Sequence, residues 1–211
     1  MNDRRRLLLP AVGGLLVLAA LAFAIVAGSS PGPSSTTPPA RAGGAGAFDG
    51  APLPAGLQAP SFTLTDQSGR RVSLGSLRGR EVLIAFPYTG CRNSCIVIAQ
   101  QIRGALDELA HPPAVLLISA DPVADTPARV RAFLQRVSLT GRASYLTGTA
   151  AELRPVWRSY HVKPAAAGAA QYANYATVLL LDGHGAERVL YGPEQLTPEA
   201  LAHDIRKLEA G

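Results

Sequence analysis

The chain has 211 residues, 47% of them hydrophobic, and a formal net charge of +5. This positive excess is too small, and the arginines are too scattered, for a nucleic-acid-binding surface, which needs basic residues clustered on one face. The sequence therefore predicts no nucleic-acid partner.

The N-terminus carries a basic tip followed by an apolar run. Residues 1–6 include three arginines, and residues 7–28 contain no charged side chain. As a helix this run would span roughly 33 Å, enough for a hydrocarbon core of about 30 Å and longer than the apolar part of a signal peptide. Because positive charges stay in the cytoplasm, we expect a single-pass anchor in a bacterial-type cytoplasmic membrane, with the following chain on the periplasmic side. Cleavage near Ala27 is the alternative.

The next segment, residues 29–57, is rich in Ser, Pro, Gly, Ala and Thr. A segment of this composition cannot bury a core, so we expect a flexible linker. The remaining residues, 58–211, have the right length for one compact domain.

The domain begins with a predicted β-hairpin formed by residues 61–65 and 71–74. Residues 81–86 are apolar after the first position and predict a strand that is buried on both faces. From Cys95 onward the apolar spacing becomes helical, and the predicted buried face consists of Ile98, Ile102, Ala105, Leu106 and Leu109. Residues 114–119 predict a second buried strand, which completes a β-α-β unit.

Two further helices have recognisable first turns. Thr126 is a suitable N-cap for a helix that begins at Pro127 and buries Val130, Phe133, Leu134 and Val137. After a short strand at 143–147, Thr149 and Glu152 form a capping-box pattern. Pro155 is expected to kink this helix or delay its start, and Trp157 is expected in the core.

The C-terminal part combines a hairpin with a helix. Residues 164–173, rich in Ala and Gly, predict an irregular excursion. Residues 176–181 and 187–191 predict two strands joined by a turn at 182–185. The last helix is expected to be capped by Thr197 and Pro198 and to bury Leu201, Ile205 and Leu208.

The chain's two cysteines, Cys91 and Cys95, lie on the predicted turn between the strand at 81–86 and the following helix. The helix dipole and Arg92 favour the thiolate, which is the form that attacks disulfides and binds soft metals. A purely structural disulfide is the alternative. Closing such a short ring would contribute only about 2 kcal/mol and would join no distant elements, so we favour a redox or metal-binding pair.

Several motifs together resemble the Sco/SenC family. They are residues 62–69, residues 86–95 with three residues between the cysteines, Asp121-Pro122 with Asp125-Thr126-Pro127, and residues 181–185. The resemblance runs from about Ala59 to the C-terminus. It implies an α/β thioredoxin-like fold, with a central mixed sheet flanked by helices behind an N-terminal transmembrane anchor, in a copper-binding protein that helps to build the copper centre of cytochrome c oxidase.

The resemblance also implies a copper site that this chain has only in part. Family members hold copper through both cysteines and a histidine, and the position of that histidine is Asn174 here. Arg92 and Ile96 stand where the family usually has proline, and Pro87 stands where it has glycine. We therefore expect altered or lost copper binding, although the thiolates of Cys91 and Cys95 alone can hold Cu(I).

The chain has four histidines, and we ask whether one of them could replace the missing ligand. His111, His184 and His203 are expected on surfaces or turns away from the cysteines. His161, which precedes the irregular excursion, is the one candidate that the sequence does not place.

Two principal functions remain open. In the first, Cys91 and Cys95 bind Cu(I) and exchange it with an oxidase subunit or another copper chaperone, so that the protein is an assembly factor. In the second, the protein is a metal-free thiol-disulfide oxidoreductase in which Cys91, expected to be the more exposed, attacks a partner disulfide and Cys95 resolves the product. Against general exchange, Ala176 occupies the expected cis-proline position.

A peroxidase and an inactive scaffold complete the alternatives. The peroxidase is disfavoured because Thr89 lies two residues before Cys91, whereas peroxiredoxin-like sites place threonine three residues before the reactive cysteine.

Overall fold

A computed structural model of the chain describes residues 47–91, 93–164 and 177–210. These residues form the strands β1 Ala51–Pro52, β2 Thr63–Asp66, β3 Arg71–Ser73, β4 Val82–Ala85, β5 Ala114–Ile118, β6 Ser144–Thr147, β7 Val178–Leu181 and β8 Glu187–Tyr191. They also form the helices α1 Ser94–Asp107, α2 Pro127–Arg136, α3 Ala150–Ser159 and α4 Pro198–Glu209, and a short 3₁₀ turn at Leu74–Leu77.

The strands make one mixed sheet in the order β1-β8-β7-β4-β5-β6-β2-β3. Strands β4, β5 and β6 run parallel to one another, and the other pairings are antiparallel. Both predicted hairpins and the β-α-β unit are present. The prediction of a thioredoxin-like α/β fold is confirmed.

Strand β4 lies inside the sheet and is buried along its whole length. Leu83 and Ala85 pack in a core with apolar residues of α1, α2 and α4. Val82 and Ile84 pack in a second core, to which α3 contributes. Because helices cover both faces of the sheet, the strand reads as a continuous apolar run in the sequence.

The predicted helix starts are confirmed at α2 and α3. The Thr126 hydroxyl accepts a hydrogen bond from the N–H of Arg129. Thr149 and Glu152 form the reciprocal capping box. Pro155 lies inside α3, but the alternative that it delays the helix start is wrong, because the capping box begins the helix five residues earlier, at Ala150. Trp157 is buried, as predicted.

The predicted linker at 29–57 and the domain start at 58 need correction. Ala51 and Pro52 pair with β8 as an edge strand, and Gln58 forms an isolated bridge to Ala186. Strand β1 has only two residues and is held by backbone pairing with β8. Its proline is tolerated because it lies at the edge of the sheet, but Ala and Pro are not residues that predict a strand. The folded domain therefore includes the last residues of the predicted linker.

Several predictions fall outside the described residues. They are the anchor at 7–28, most of the linker, nearly all of the excursion at 164–173, and the positions Asn174 and Ala176. In the part of the chain that the structure describes, no helix combines the length and apolar character needed to cross a membrane.

Candidate functional site

The cysteine pair lies on the loop that joins β4 to α1. Cys91 comes just before the helix, and Cys95 is its second residue. Because β4, β5 and β6 are parallel, their carboxyl ends meet at one edge of the sheet, where open α/β sheets commonly place their functional loops. The predicted position on a strand-to-helix turn is confirmed.

The two sulfur atoms are bonded to each other, and the Cα atoms of Cys91 and Cys95 are 5.8 Å apart. The side chains are 3% and 1% exposed, so both are buried. Tyr88 and Ile96 are partly buried against the core cluster that contains them. Cys91 is the more exposed of the two, as predicted, but the difference is too small for exposure to mark it as the attacking thiol.

Hydrogen bonding distinguishes the two cysteines instead. The N–H of Cys95 donates to Cys91 Sγ over 3.2 Å, and Ser94 Oγ lies 3.5 Å from the same sulfur. The N-cap residue of α1, Asn93, makes no side-chain capping bond. The Cys91 sulfur thus supplies the acceptor that the first turn of the helix needs, and after reduction a negative charge there would be stabilised by the helix terminus.

A buried carboxylate holds the loop just before Cys91. Asp125 Oδ1 accepts a 2.6 Å hydrogen bond from the N–H of Thr89, while Oδ2 accepts bonds from the hydroxyls of Ser119 at 2.6 Å and Tyr145 at 2.8 Å. Burial raises the pKa of Asp125, although these hydrogen bonds oppose the shift. In the sequence Asp125 belongs to a family motif, but nothing local indicates its contact with Thr89, 36 residues away.

His161 lies on the surface at the end of α3, with a positive φ of 54°. It lines a cavity of about 570 Å³ together with Phe86, Leu179 and Glu187. Neither cysteine lines this cavity, and the ligand atoms of His161 and the two cysteines do not form a group within 4.8 Å of one another. His184 lies in the β7–β8 turn, as predicted, where its N–H donates to Asp182.

The remaining histidines are also elsewhere. His111 is exposed after α1, and His203 pairs with Asp49 and Asp204. Within residues 47–91, 93–164 and 177–210, these last three side chains form the one group of three His, Cys, Asp or Glu residues with ligand atoms within 4.8 Å of one another. No described histidine therefore joins the cysteines as a third ligand.

The donor set fits a soft metal ion in one redox state only. In the disulfide the two sulfurs are bonded to each other and offer no thiolate. Reduction by two electrons would give Cys91 and Cys95 as two thiolate donors, a set that suits Cu(I). The structure thus shows a disulfide whose reduction would free two sulfur donors next to each other.

Comparisons with known proteins identify relatives of this domain. A family model described as SCO1/SenC matches residues 51–210. The chain is 34% identical over 106 residues to the mitochondrial SCO2 homolog of Bos taurus, covering 48% of this chain and 39% of that protein. It spans half or less of the length of such curated relatives.

Solved structures match more completely. Copper-bound ScoI of Bradyrhizobium japonicum has 31% identity and a TM-score of 0.57, over 72% of this chain and 99% of that one. BsSco, described as a member of the Sco family of cytochrome c oxidase assembly proteins and as having a disulfide switch, has 22% identity and a TM-score of 0.62, over 75% and 96%. The latter similarity bears on the fold alone.

A shorter similarity concerns the peroxidase alternative. The chain is 41% identical over 71 residues to peroxiredoxin Bcp of Escherichia coli, covering 33% of this chain and 46% of that protein. In this structure the Thr89 N–H is bonded to Asp125 and its hydroxyl donates to the carbonyl of Ala124. The N–H and the hydroxyl of Thr89 are therefore both hydrogen-bonded to the loop between β5 and α2.

Proposed function

Because the chain belongs to the SCO1/SenC family, we propose that Cys91 and Cys95 assist the assembly of the copper centre of cytochrome c oxidase, through Cu(I) binding, thiol-disulfide chemistry or both. The family is linked to copper binding and to cytochrome c oxidase assembly. The observation that carries the proposal is the position of the cysteine pair at the start of α1, where the Cys91 sulfur accepts a hydrogen bond from the N–H of Cys95.

Copper is cargo in this proposal. The reduced pair binds Cu(I) through two sulfurs and exchanges it with a copper-containing oxidase subunit or another copper chaperone. The family's third ligand position is Asn174, and a carboxamide is a poorer ligand for copper than imidazole. Cu(I), which accepts low coordination, therefore binds more tightly than Cu(II).

The same proposal places the domain outside the cytoplasm. Residues 7–28 anchor the chain in the membrane, and a linker from residue 29 to about residue 46 connects the anchor to a periplasmic domain. The sequence supports this through the uncharged apolar run behind three arginines. A periplasmic location is also compatible with a Cys91–Cys95 disulfide at rest.

A metal-free thiol-disulfide oxidoreductase is the second candidate, and the disulfide favours it. In this role Cys91 attacks a disulfide of one specific partner, because its sulfur lies where a thiolate is stabilised, and Cys95 resolves the mixed disulfide. A scaffold without copper activity is third. The peroxidase stays disfavoured, since Thr89 has a different spacing from Cys91 and its hydroxyl is bonded to Ala124.

Copper titration of the reduced full-length protein in detergent, with a Cu(I)-buffering competitor, tests the proposal. We expect tight one-to-one binding that is lost in Cys91→Ser. The His161→Ala variant is the control and is expected to bind like the wild type. Equal binding by wild type and Cys91→Ser would contradict copper handling and would make the reduction potential of the pair the next measurement.

A further inference from the structure

We propose that Asp125 is a positioning residue for the cysteine pair, and that by fastening the loop before Cys91 it shifts the equilibrium between dithiol and disulfide toward the disulfide. The inference rests on the proposed function in one respect, since it takes Cys91 and Cys95 to be reversibly oxidised. It assigns Asp125 no contact with copper or with a partner.

The first step is that the loop is fastened at two points to the segment between β5 and α2. The N–H of Ala120 donates to the carbonyl of Pro87 over 3.0 Å. The N–H of Thr89 donates to Asp125 over 2.6 Å, which is the shortest of these bonds, and the Thr89 hydroxyl donates to the carbonyl of Ala124 over 3.2 Å. Cys91 therefore follows only two residues after a fixed backbone position.

A tight turn connects that fixed position to the sulfur. The N–H of Cys91 donates to the carbonyl of Tyr88 over 3.1 Å, so residues 88–91 form a closed turn. On the other side Cys95 belongs to α1, whose position is set by its buried face. The distance between the cysteines thus depends on the Thr89 anchor.

The carboxylate of Asp125 is itself held in place by buried side chains. Ser119 and Tyr145 are fully buried, and their hydroxyls both donate to Oδ2 of Asp125. The Tyr145 hydroxyl also lies 3.3 Å from the carbonyl of Pro87, on the same loop. A carboxylate with these partners cannot turn away from Thr89 without losing buried hydrogen bonds, which makes it a rigid support.

The position of the loop affects the equilibrium between the dithiol and the disulfide. An external dithiol donates two electrons and two protons, the Cys91–Cys95 bond breaks, and two thiols and the donor's disulfide are formed. The sulfurs then separate, with Cys95 held by α1 and Cys91 by its loop. A loop fastened at Thr89 keeps the thiols close, and this proximity favours reclosure of the disulfide. Without the bond to Asp125, Thr89 keeps only the longer bond from its hydroxyl to the carbonyl of Ala124. Cys91 then has more freedom, which favours the dithiol.

The test measures the thiol-disulfide equilibrium of the full-length protein against dithiothreitol, with the reduced fraction determined by alkylation and mass spectrometry. Asp125→Ala is expected to lower the equilibrium constant for disulfide formation about tenfold, which corresponds to a reduction potential about 30 mV higher. Asp125→Asn keeps an acceptor for the Thr89 N–H, and the hydroxyls of Ser119 and Tyr145 can accept from its amide. This variant is expected within about twofold of the wild type.

Asp182→Ala is the matched control. Asp182 fastens the β7–β8 turn by accepting bonds from the N–H groups of His184 and Ala186, at the sheet end opposite the cysteines. This variant is expected to lose stability without a change in the equilibrium constant. The fluorescence of Trp157, the single tryptophan, reports whether each variant is folded.

If Asp125→Ala does not fold, Tyr145→Phe replaces it, since this change removes one support of the carboxylate and is expected to shift the equilibrium about threefold in the same direction. An equilibrium constant within about twofold of the wild type, in Asp125→Ala or in its replacement, would overturn the inference. A wild-type pair that forms no reversible disulfide would instead overturn the redox role in the proposed function.

Discussion

The backbone N–H of Gly50 donates a 3.0 Å hydrogen bond to the carboxylate of Asp204, which is fully buried on α4. Asp204 also accepts a bond from the N–H of Asp49 and one from the hydroxyl of Tyr191. The segment that precedes β1 is therefore fastened to α4 and β8. The chain enters the folded domain at a fixed point, where the proposed tether ends.

Gly50 has no room for a side chain at this point. A Cβ atom would overlap Val189 Cγ1 and would lie 2.8 Å from Tyr191 Cε1. Gly50→Ala is therefore expected to push β1 away from β8 and to lower the free energy of unfolding by about 1–3 kcal/mol. The matched control is Gly75→Ala, where a Cβ meets nothing within 4 Å. Urea denaturation measures both, and equal midpoints would contradict the prediction.

The lowered pKa of Asp66 predicts how the free energy of unfolding depends on pH in the acid range. Burial alone would raise the pKa of this carboxyl, but hydrogen bonds from Ser68 and Arg70 outweigh burial and lower it from 3.8 to about 2. Because the folded protein binds the proton less tightly than the unfolded chain, Asp66 stabilises the fold above about pH 4, and this contribution is lost as the pH falls toward 2.

Asp66→Asn tests this dependence. The variant is expected to be less stable than the wild type at neutral pH, with a difference that narrows between about pH 4 and pH 2. Urea midpoints measured across this range give the comparison. A difference that stays constant as the pH falls would show that the carboxylate charge does not matter to stability.

Local signals account for the parts of the fold that the sequence predicted. The capping box of Thr149 and Glu152 spans three residues, and the uninterrupted apolar run of β4 follows from burial on both faces. The cysteine turn was predictable in the same way, because a strand, a breaker cluster and a helical pattern follow one another directly. Each signal lies within one element or between neighbours.

The features that the sequence missed depend on distant partners. Strand β1 consists of Ala51 and Pro52 and is recognisable only by its pairing with β8, more than 130 residues later. The bond between Asp125 and Thr89 needs the β5–α2 loop to meet the β4–α1 loop, which only the folded sheet brings together. The burial of both cysteines likewise depends on tertiary packing, in which Tyr88 lies against the core cluster that contains them.

The order of attack in thiol exchange can be tested by trapping. Cys95→Ser removes the thiol that would resolve a mixed disulfide and leaves Cys91 in place. The Cys91 sulfur accepts a hydrogen bond from the N–H of residue 95 in the first turn of α1. This variant is expected to accumulate adducts with a partner in membranes, visible as bands that a reductant removes. Cys91→Ser is the control and is expected to trap far less. Equal trapping by both variants would contradict the assignment of Cys91 as the attacking residue.

The last prediction concerns Asn174, which lies outside the described residues. If the cysteine pair is otherwise competent for copper, Asn174→His supplies the imidazole that the family resemblance places there. The reduced variant is then expected to bind Cu(II) with a strong thiolate-to-copper absorption that the wild type lacks, because an imidazole beside two thiolates suits Cu(II) better than thiolates alone. Asn174→Gln is the matched control, since it changes the same position without adding an imidazole.

Loss of the new absorption in the double variant Asn174→His/Cys91→Ser would assign the band to the Cys91 thiolate. No band in Asn174→His itself would mean that the cysteine loop, which has Pro87 and Ile96 where the family usually has glycine and proline, no longer allows a three-ligand site. Copper handling would then depend on Cu(I) alone, and thiol exchange through Cys91 would become the better account of the pair.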